Sequence, residues 1–385
     1  MTWRRFLLFA AVAAALAGLA LLRGLRYPPL QLDPDTVETE LRSPEGWTLY
    51  ARGAYRRQAV PPVVFRAWSP EPRLLLEAER AGTVELTLEN VHPDASVSGR
   101  GVRELARTGL QRRLAVAVEA GDAVEIAVSF PARERYRFAA IGDAGGRGEL
   151  RWCLQRAADL GADFLLHVGD IVYYEDDADA AAAALREAPI PVFAAIGNHD
   201  FHGGSRGRFR WFQEFVGPLN CVWELGGVTF LLFDTAADLV PAGAGRRGGL
   251  LKALVERPPT GPLIAVTHRP FADPRVLSGR RADPHALNRA AEADWLRSRL
   301  LDIGTTAMIT GHIHASFDFD DRGLRTLIAG DGLGVRGDQA TILIGDYSPG
   351  QSPEFHWEPL AMPESAWSPE YDQDRRRPEE YEKLH

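Results

Sequence analysis

Five short polar segments, each at the end of an apolar run, hold the residues that could do chemistry. They are Gly142-Asp143, Gly169-Asp170-Ile171-Val172-Tyr173, Gly197-Asn198-His199-Asp200, Thr267-His268-Arg269-Pro270 and Gly311-His312-Ile313-His314. Each segment offers an oxygen or imidazole ligand, and carboxylate together with imidazole suits Fe, Mn or Zn better than Ca²⁺, which prefers oxygen alone. Two ions about 3.5–4 Å apart can hold the attacking and leaving oxygens of an in-line phosphoryl displacement. The pattern therefore predicts a two-metal hydrolytic site.

Short, nearly continuous apolar runs precede these segments, as in strands that are buried on both faces. The runs cover residues 138–141, 164–168, 192–196, 230–233, 263–266 and 308–309. Helical patterns lie between them at 149–160, which Gly161 ends, and at 177–188, which Pro189 ends. Sheets covered by helices place their sites at the carboxyl ends of strands. We therefore expect an α/β domain over residues 136–358, with two mixed β-sheets packed face to face and flanked by helices.

The segment before this domain, residues 28–135, has the alternation of apolar and polar residues that is typical of strands. Apolar positions alternate over 114–118 and again over 124–130, on either side of Ala120-Gly121-Asp122. This pattern predicts a hairpin with one buried face. We expect an all-β sandwich domain of immunoglobulin-like type. The tail at 359–385 is rich in Pro, Arg and Glu and is predicted to be disordered.

The N-terminal segment, residues 1–27, has the pattern of an export signal or a membrane anchor. Arg4 and Arg5 precede an apolar stretch at 6–22, which is near the lower length limit for a membrane span. A small-residue cleavage site at 15–17 lies inside the apolar stretch, and this favours an uncleaved anchor. Either form, anchored or secreted, predicts an extracytoplasmic protein.

Composition narrows the range of partners and leaves the state of the cysteines open. The net charge is −8 and the chain has no basic block, so binding to a nucleic-acid backbone is not indicated. Export permits a disulfide between Cys153 and Cys221. The apolar face on which Cys153 lies favours a buried free thiol instead.

The five segments, in their order along the chain, resemble the motifs of the calcineurin-like metallophosphoesterase superfamily, over roughly residues 137–345. The first motif, Asp143-Ala144-Gly145, lacks the histidine that most members carry two residues after the aspartate. Tyr173 follows Asp170 by three residues and resembles the tyrosinate of the purple acid phosphatase branch. Asp200 and Ala265 stand where that branch usually has Glu and Val. Neither of these two positions is a ligand.

The resemblance implies a ligand set for two metal ions. The first ion would be held by Asp143, Asp170, Tyr173 and His314, and the second by Asp170, Asn198, His268 and His312. A phenolate favours Fe(III) in the first site, and Fe, Zn or Mn would occupy the second. Two histidines one residue apart cannot point the same way from a strand, so we expect Gly311 to open a turn there.

Three further polar residues near the motifs have different expected roles. His199 would face the bound phosphate and stabilise developing charge or protonate the leaving group. Asp200 would fix the orientation of His199 by a hydrogen bond, or equally well cap the following turn. His167 lies inside an apolar run and is expected in the core.

The implied activity is hydrolysis of a small phosphorylated substrate, with a phosphomonoester favoured, by in-line attack of a metal-bound hydroxide. The segment 201–210 and the stretch 271–288, which contains Arg280, Arg281 and His285, are candidate substrate loops. The alternatives are a phosphodiesterase or nucleotidase of the same fold and, with less support, a non-catalytic membrane-anchored binding protein. The complete ligand set favours an enzyme. The sequence does not predict an oligomeric state.

Overall fold

The computed structural model of the protein describes residues 37–375, except 132, 175, 202–207, 237–242, 244 and 281–283. Ten strands form the N-terminal part of this range. They are β1 Glu40–Ser43, β2 Trp47–Arg52, β3 Ala54–Gln58, β4 Val63–Ala67, β5 Arg73–Ala78, β6 Gly82–Glu89, β7 Ser96–Ser98, β8 Val102–Thr108, β9 Gln111–Val118 and β10 Ala123–Ser129. One sheet has the strand order β1-β2-β5-β10-β7 and the other β3-β4-β6-β9-β8.

The two N-terminal sheets share one hydrophobic core, because alternate residues of each strand point towards the other sheet. Leu49, Leu76 and Ile126 of the first sheet lie in the same buried cluster as Phe65 and Leu86 of the second. The part of the chain at 40–129 is therefore an all-β sandwich, as predicted. The strand order does not confirm an immunoglobulin-like topology, which stays a prediction.

The predicted hairpin over residues 114–130 is wrong. Strand β9 pairs with β6 and β8, whereas β10 pairs with β5 and β7 in the opposite sheet. The turn between them crosses from one sheet to the other, with Gly121 in a left-handed conformation at φ 83°. Alternation indicates which face of each strand is buried. An arch between two sheets satisfies that pattern as well as a hairpin does.

The described residues of the second part of the chain form eleven strands, eight helices and three short 3₁₀ turns. The strands are β11 Tyr136–Ile141, β12 Phe164–His167, β13 Val192–Ala194, β14 Cys221–Leu225, β15 Val228–Leu232, β16 Leu263–Val266, β17 Ala307–Thr310, β18 Ser316–Asp321, β19 Leu324–Ala329, β20 Thr341–Tyr347 and β21 Glu354–Pro359. The helices are α1 Gly148–Asp159, α2 Asp177–Arg186, α3 Asn198–Phe201, α4 Arg208–Phe215, α5 Gly245–Glu256, α6 Pro274–Leu277, α7 Ala290–Ile303 and α8 Asp372–Arg375. The 3₁₀ turns are Gly337–Gln339, Glu364–Ala366 and Pro369–Tyr371.

These strands form two mixed sheets, with the orders β13-β12-β11-β20-β21 and β14-β15-β16-β17-β19-β18. Strands β11, β12 and β13 run parallel, as do β15, β16, β17 and β19. Aromatic side chains fill the space between the sheets, where the rings of Phe164 and Phe230 lie 5.8 Å apart. The predicted α/β architecture is therefore confirmed.

Helices cover the outer face of each of these two sheets. Leu154 of α1 and Leu185 of α2 pack into the cluster on the first sheet, and Leu251 of α5 and Leu296 of α7 into the cluster on the second. Beyond the strand ends, a parallel bridge between Gly142 and Gly330 joins the two sheets. The carboxyl ends of the parallel strands thus meet at one edge, where the polar motifs follow.

The sandwich contacts the second part of the chain through specific hydrogen bonds. The side-chain amide of Asn90 donates to the carbonyl of Val192 at 2.9 Å and accepts from the amide of Val192 at 3.0 Å. Asn90 therefore satisfies the outer edge of β13, with which no strand of the described part of the chain pairs. The hydroxyl of Tyr55 donates to the carbonyl of Glu214 in α4 at 2.9 Å.

The tail was predicted to be disordered from residue 359, but the structure packs residues 360–371 against the second part of the chain. Leu360 and Tyr371 are fully buried. The indole nitrogen of Trp152 donates to the carbonyl of Leu360 at 2.9 Å. The composition is polar on average, yet a few apolar side chains are enough to hold the segment in place. Residues 376–385 lie outside the described range.

The predicted signal or anchor at residues 1–27 also lies outside the described residues, so the membrane and localisation predictions stay predictions. Within the described part of the chain, no helix is long and apolar enough to cross a membrane. Cys153 and Cys221 are both buried free thiols, so the two cysteines do not form the disulfide that the sequence left open.

Candidate metal centre

The predicted ligands all follow strands of the two mixed sheets. Asp143, Asp170 and Asn198 come after β11, β12 and β13 of the first sheet. His268 comes after β16 of the second sheet, and the two histidines of the last motif come after β17. Four of these residues adopt left-handed backbone conformations, which are uncommon for residues other than glycine. They are Asp143, Asp170, His312 and His314, with φ of 57°, 58°, 72° and 52°. Such strained conformations concentrate at functional sites.

One group of ligand atoms gathers around His268. Single ligand atoms of Asp170, His268 and His312 all lie within 4.8 Å of one another. Nε2 of His268 lies 3.2 Å from a carboxylate oxygen of Asp170 and 2.9 Å from the amide oxygen of Asn198. These are the four residues predicted for the second metal ion.

A second group gathers around His314. Its Nε2 lies 3.1 Å from the hydroxyl of Tyr173 and 3.5 Å from Oδ1 of Asp143. These three residues, with Asp170, are the set predicted for the first metal ion. The structure therefore brings together all seven residues that the sequence analysis named as ligands.

Glycines allow the carboxylates to sit close to the backbone. A Cβ atom on Gly311 or Gly330 would lie 2.7 or 2.4 Å from Oδ2 of Asp143. A Cβ atom on Gly197 would lie 2.1 Å from Oδ1 of Asp170. These distances are shorter than any non-bonded contact tolerates, so only glycine fits at these three positions.

Hydrogen bonds from the surrounding backbone orient the ligands. Nδ1 of His268 donates to the carbonyl of Val168 at 2.9 Å, which leaves Nε2 free to face the centre. The turn expected at Gly311 is present, because the amide of Ile313 donates back to the carbonyl of Gly311 at 2.9 Å. The amide of His312 donates to Oδ2 of Asp143 at 2.9 Å.

Burial dominates the electrostatics of the first ligand group. It raises the pKa of Asp143 to about 8, and it lowers the pKa of His314 well below the usual range. Oδ1 of Asp143 is buried and has no hydrogen-bond partner among the residues that the structure describes. A buried carboxylate oxygen in this state is costly unless a cation lies beside it. A neutral imidazole supplies the lone pair that a metal ion needs.

The second group contains a closely interacting carboxylate and imidazole. Burial acts to raise the pKa of Asp170, but His268 and His199 hold it well below its usual range. Burial acts to lower the pKa of His268, but the carboxylate of Asp170 raises it to about 9. A metal ion would replace the proton between these two side chains. The donor set of both groups therefore fits a dinuclear metal centre.

His199 lies beside the ligands and lines the open side of the centre. Its ring lies against the ring of Tyr173, with centroids 4.4 Å apart. Its backbone amide donates to Oδ1 of Asp170 at 2.8 Å. The side chain of His199 is thus on the surface of the cleft, where a bound phosphate would lie.

Asp200 does not have the first of its two predicted roles, which was to fix the orientation of His199 by a hydrogen bond. Its carboxylate is fully buried and accepts hydrogen bonds from the backbone amides of Asp170, Val172 and Gly197, at 3.0, 2.8 and 2.9 Å. The bond to Gly197 resembles the capping alternative, because the side chain reaches back to the start of α3. Asp200 therefore ties the second and third metal loops together, and burial raises its pKa to about 7.

A cleft of about 260 Å³ opens next to the ligands. Its lining residues are Asp170, Asn198, His199, Arg269, Pro284, His285, Ala286, Asn288, His312 and His314. The stretch 271–288 does line the cleft from one side, as predicted, and the ring of His285 stacks on His312 with centroids 3.9 Å apart. Arg281 and residues 202–207 of the other candidate loop lie outside the described range.

Sequence reasoning missed Arg269. The side chain is 6% exposed and its Nε lies 3.4 Å from the amide oxygen of Asn198. The sequence feature that could have identified Arg269 is its position directly after the predicted ligand His268 in Thr267-His268-Arg269-Pro270. His167, by contrast, is fully buried as predicted, and burial lowers its pKa to about 3.

Residues 136–316 match the calcineurin-like phosphoesterase family. This match supports the assignment of this part of the chain to the metallophosphoesterase superfamily. The ligand groups described above lie inside the matched range. No curated protein sequence matches the chain significantly.

Several solved structures are similar to the chain. The purple acid phosphatase PPD1 from yellow lupin (Lupinus luteus) is 13% identical with a TM-score of 0.48, over 81% of this chain and 72% of that one. GAP50, the anchor in the inner membrane complex of Plasmodium, is 14% identical with a TM-score of 0.44, over 59% of this chain and 85% of that one. A dimetal phosphatase from Danio rerio is 14% identical with a TM-score of 0.42, over 59% of this chain and 97% of that one.

Proposed function

We propose that the protein is a dinuclear metal-dependent phosphoesterase that hydrolyses a phosphomonoester. The observation that carries the proposal is the convergence of two ligand groups on Asp170. His268 approaches this carboxylate directly at 3.2 Å, and the group around His314 includes Asp143, which lies close enough to Asp170 for the two charges to interact. A shared carboxylate of this kind suits two adjacent cations.

Two bound metal ions supply Lewis acidity and activate water for attack on phosphorus. The side chains around the cleft would do the rest. His199 faces the cleft and would stabilise the developing charge or donate a proton to the leaving oxygen. The guanidinium of Arg269 would bind a phosphate oxygen next to Asn198.

The preference for a monoester is supported by the charge of the cleft. Arg269 lines it, and Asp170, the one carboxylate among the lining residues, also contacts His268. A phosphomonoester carries one more negative charge than a diester and gains more from an additional cation. A diesterase or nucleotidase of the same fold is the second candidate. Such an enzyme would bind the second substituent of the phosphate next to Arg269.

The purple acid phosphatase branch, with Fe(III) in the first site and Fe, Zn or Mn in the second, is supported by Tyr173. Its hydroxyl lies 3.1 Å from Nε2 of His314, inside the first ligand group. A phenolate is a hard anionic ligand and favours the higher charge of Fe(III). We further propose an extracytoplasmic location, on the strength of the apolar segment at residues 6–22.

Metal analysis of the purified protein, combined with a panel of aryl phosphomonoesters and aryl phosphodiesters from which release of the phenol is measured, tests the proposal. We expect two metal ions per chain and faster phenol release from monoesters. His268→Ala should abolish phenol release. His356→Ala, a change at a half-exposed histidine on β21 outside the site, should not. A protein that binds two metals but hydrolyses neither monoesters nor diesters would instead support the non-catalytic binding protein.

A further inference from the structure

We propose that the C-terminal strap, defined as residues 360–375, supports the metal centre by positioning the loops that carry Asp143 and Tyr173. This inference rests on the proposed metal site and deepens it. It concerns residues far from the family match, which ends at residue 316. The contacts that carry it converge on two buried carboxylates, Asp177 and Glu149.

Tyr371 of the strap enters the space between the first two metal loops. It is fully buried, and its hydroxyl donates to Oδ2 of Asp177 at 2.7 Å. The same hydroxyl accepts from the amide of Gly146 at 2.9 Å. Gly146 lies three residues after Asp143, so one hydroxyl joins the first metal loop to the second.

The ring of Tyr371 packs so closely on the first loop that position 145 has no room for a side chain. Gly145 has φ 61°, and a Cβ atom there would lie 2.5 Å from the ring of Tyr371. The ring also lies 6.0 Å from the ring of Tyr173 and stacks on Tyr174 at 5.6 Å. Tyr173 is therefore in contact with His199 on the cleft side and with the strap.

Asp177 transmits the contact to the backbone of the tyrosine ligand. Its Oδ2 accepts from the amides of Tyr173 and Tyr174 at 3.1 and 2.8 Å. Its Oδ1 accepts from Nε of Arg147, which belongs to the first loop, at 2.5 Å. Asp177 is fully buried, so each of these bonds helps to offset the cost of burying its charge.

Glu149 provides a second, independent attachment of the strap. Its two carboxylate oxygens accept from the amide and the hydroxyl of Ser368, both at 2.6 Å. The hydroxyl of Ser368 in turn accepts from the amide of Gly148 at 3.2 Å. A Cβ atom on Gly148 would lie 2.4 Å from the carbonyl oxygen of Ala366. The strap thus packs directly on the chain that follows Asp143.

Loss of the strap contacts should affect the first metal group and not the second. Loss of the Tyr371 hydroxyl would leave Asp177 and the amide of Gly146 each short of one buried hydrogen bond. The backbone of Tyr173 and the turn after Asp143 would then be held less firmly. Both residues belong to the first metal group. Among the described residues, Asn198, His268 and His312 of the second group make no hydrogen bond to the strap or to Asp177.

The test compares Tyr371→Phe with Tyr347→Phe in the full chain. Tyr347 is a buried tyrosine on β20 whose hydroxyl donates to the carbonyl of Gly226, away from the metal loops. Stepwise binding constants for Mn²⁺ or Zn²⁺ are measured by calorimetric titration of the metal-free protein. Hydrogen exchange of the amides of Gly146, Tyr173 and Tyr174 is followed in the same metal-free protein.

We expect Tyr371→Phe to weaken binding of one metal ion by about tenfold, as substitutions behind metal ligands typically do, and to leave the other within about twofold. Exchange at the three amides should accelerate. Ser368→Ala should act in the same direction with a smaller effect, because it removes the hydroxyl bonds of the other attachment and keeps the bond from the backbone amide of residue 368 to Glu149. Tyr347→Phe should change neither the binding constants nor the exchange at these amides.

Equal weakening of both metal ions in Tyr371→Phe would indicate general destabilisation and would overturn the inference, as would wild-type binding with unchanged exchange. The proposed function fails separately. A wild-type protein that binds two metal ions and hydrolyses no phosphate ester would refute the enzymatic activity, and the role of the strap would stand.

Discussion

The two halves of the proposed metal centre are held in place by different parts of the protein. The first half consists of Asp143, Tyr173 and His314, the second half of Asn198, His268 and His312, and Asp170 belongs to both. In the second half, His268 is oriented by the carbonyl of Val168, which follows β12 of the other sheet. Short contacts to Asn198 and Asp170 complete the group at 2.9 and 3.2 Å. These contacts all come from residues that follow strand ends.

The first half depends on segments that lie far away in the sequence. The backbone of Tyr173 is held by Asp177, which the strap contacts through Tyr371. The carbonyl of His314 accepts from Nε of Arg336 at 2.7 Å. A metal group built this way can be altered from outside the family motifs. The comparison indicates that the ligands of one half are positioned by the sheets, whereas the ligands of the other half are also positioned by later parts of the chain.

The largest expected effect is that of Asp170→Asn, which should remove both metal ions. The carboxylate is the residue common to both halves, and an amide carries no charge to hold two cations together. Metal content per chain, measured by mass spectrometry of the purified variant, checks this. The matched control is Asp318→Asn on β18, which changes a partly exposed carboxylate paired with Arg325. Two metal ions retained by Asp170→Asn would show that the halves do not share it.

His199→Ala should separate chemistry from metal binding. Its backbone amide contacts Asp170 and remains in the variant, so metal content should stay near that of the wild type. Loss of the imidazole from the cleft should lower turnover by about 100- to 1000-fold, the usual cost of removing one donor to developing charge. Steady-state kinetics and metal analysis on the same sample measure both. A variant that arrives without metal would make His199 a ligand.

Arg269→Gln should have a smaller effect, confined to the second half. We expect inhibition by inorganic phosphate to weaken by roughly 10- to 100-fold, because one hydrogen bond between charged groups contributes about 1.5–3 kcal/mol. Arg325→Gln, a change at a partly exposed arginine on β19 that is paired with Asp318 outside the cleft, is the control. If both variants bind phosphate as the wild type does, Arg269 does not contact the substrate, and the argument for a monoester loses its support.

These effects also indicate how far the sequence could predict the molecule. The ligand residues were predictable because each follows an apolar strand, and parallel strands end at the same edge of a sheet. The role of Asp200 was not, since its partners are three backbone amides of two loops that meet only in three dimensions. The same limit explains the wrong hairpin between β9 and β10, because alternation does not encode which strand is the neighbour.

The strap shows a further limit of composition. Residues 359–385 look polar on average, and averages do not reveal that Tyr371 fills a space next to Gly145. Arg269 was missed for a related reason, since an arginine beside a ligand is indistinguishable from a solvated one until its burial is known. Each missed residue interacts mainly with a partner that is distant in the sequence.

The visible spectrum of the iron-loaded protein tests the central claim most directly, that Tyr173 completes the first half of a dinuclear centre. A phenolate bound to Fe(III) absorbs visible light by charge transfer. We predict such a band in the wild type, its loss in Tyr173→Phe, and its retention in Tyr174→Phe, whose ring stacks on Tyr371. An iron-loaded wild type without colour, or colour that survives in Tyr173→Phe, would contradict the account and exclude tyrosine from the centre.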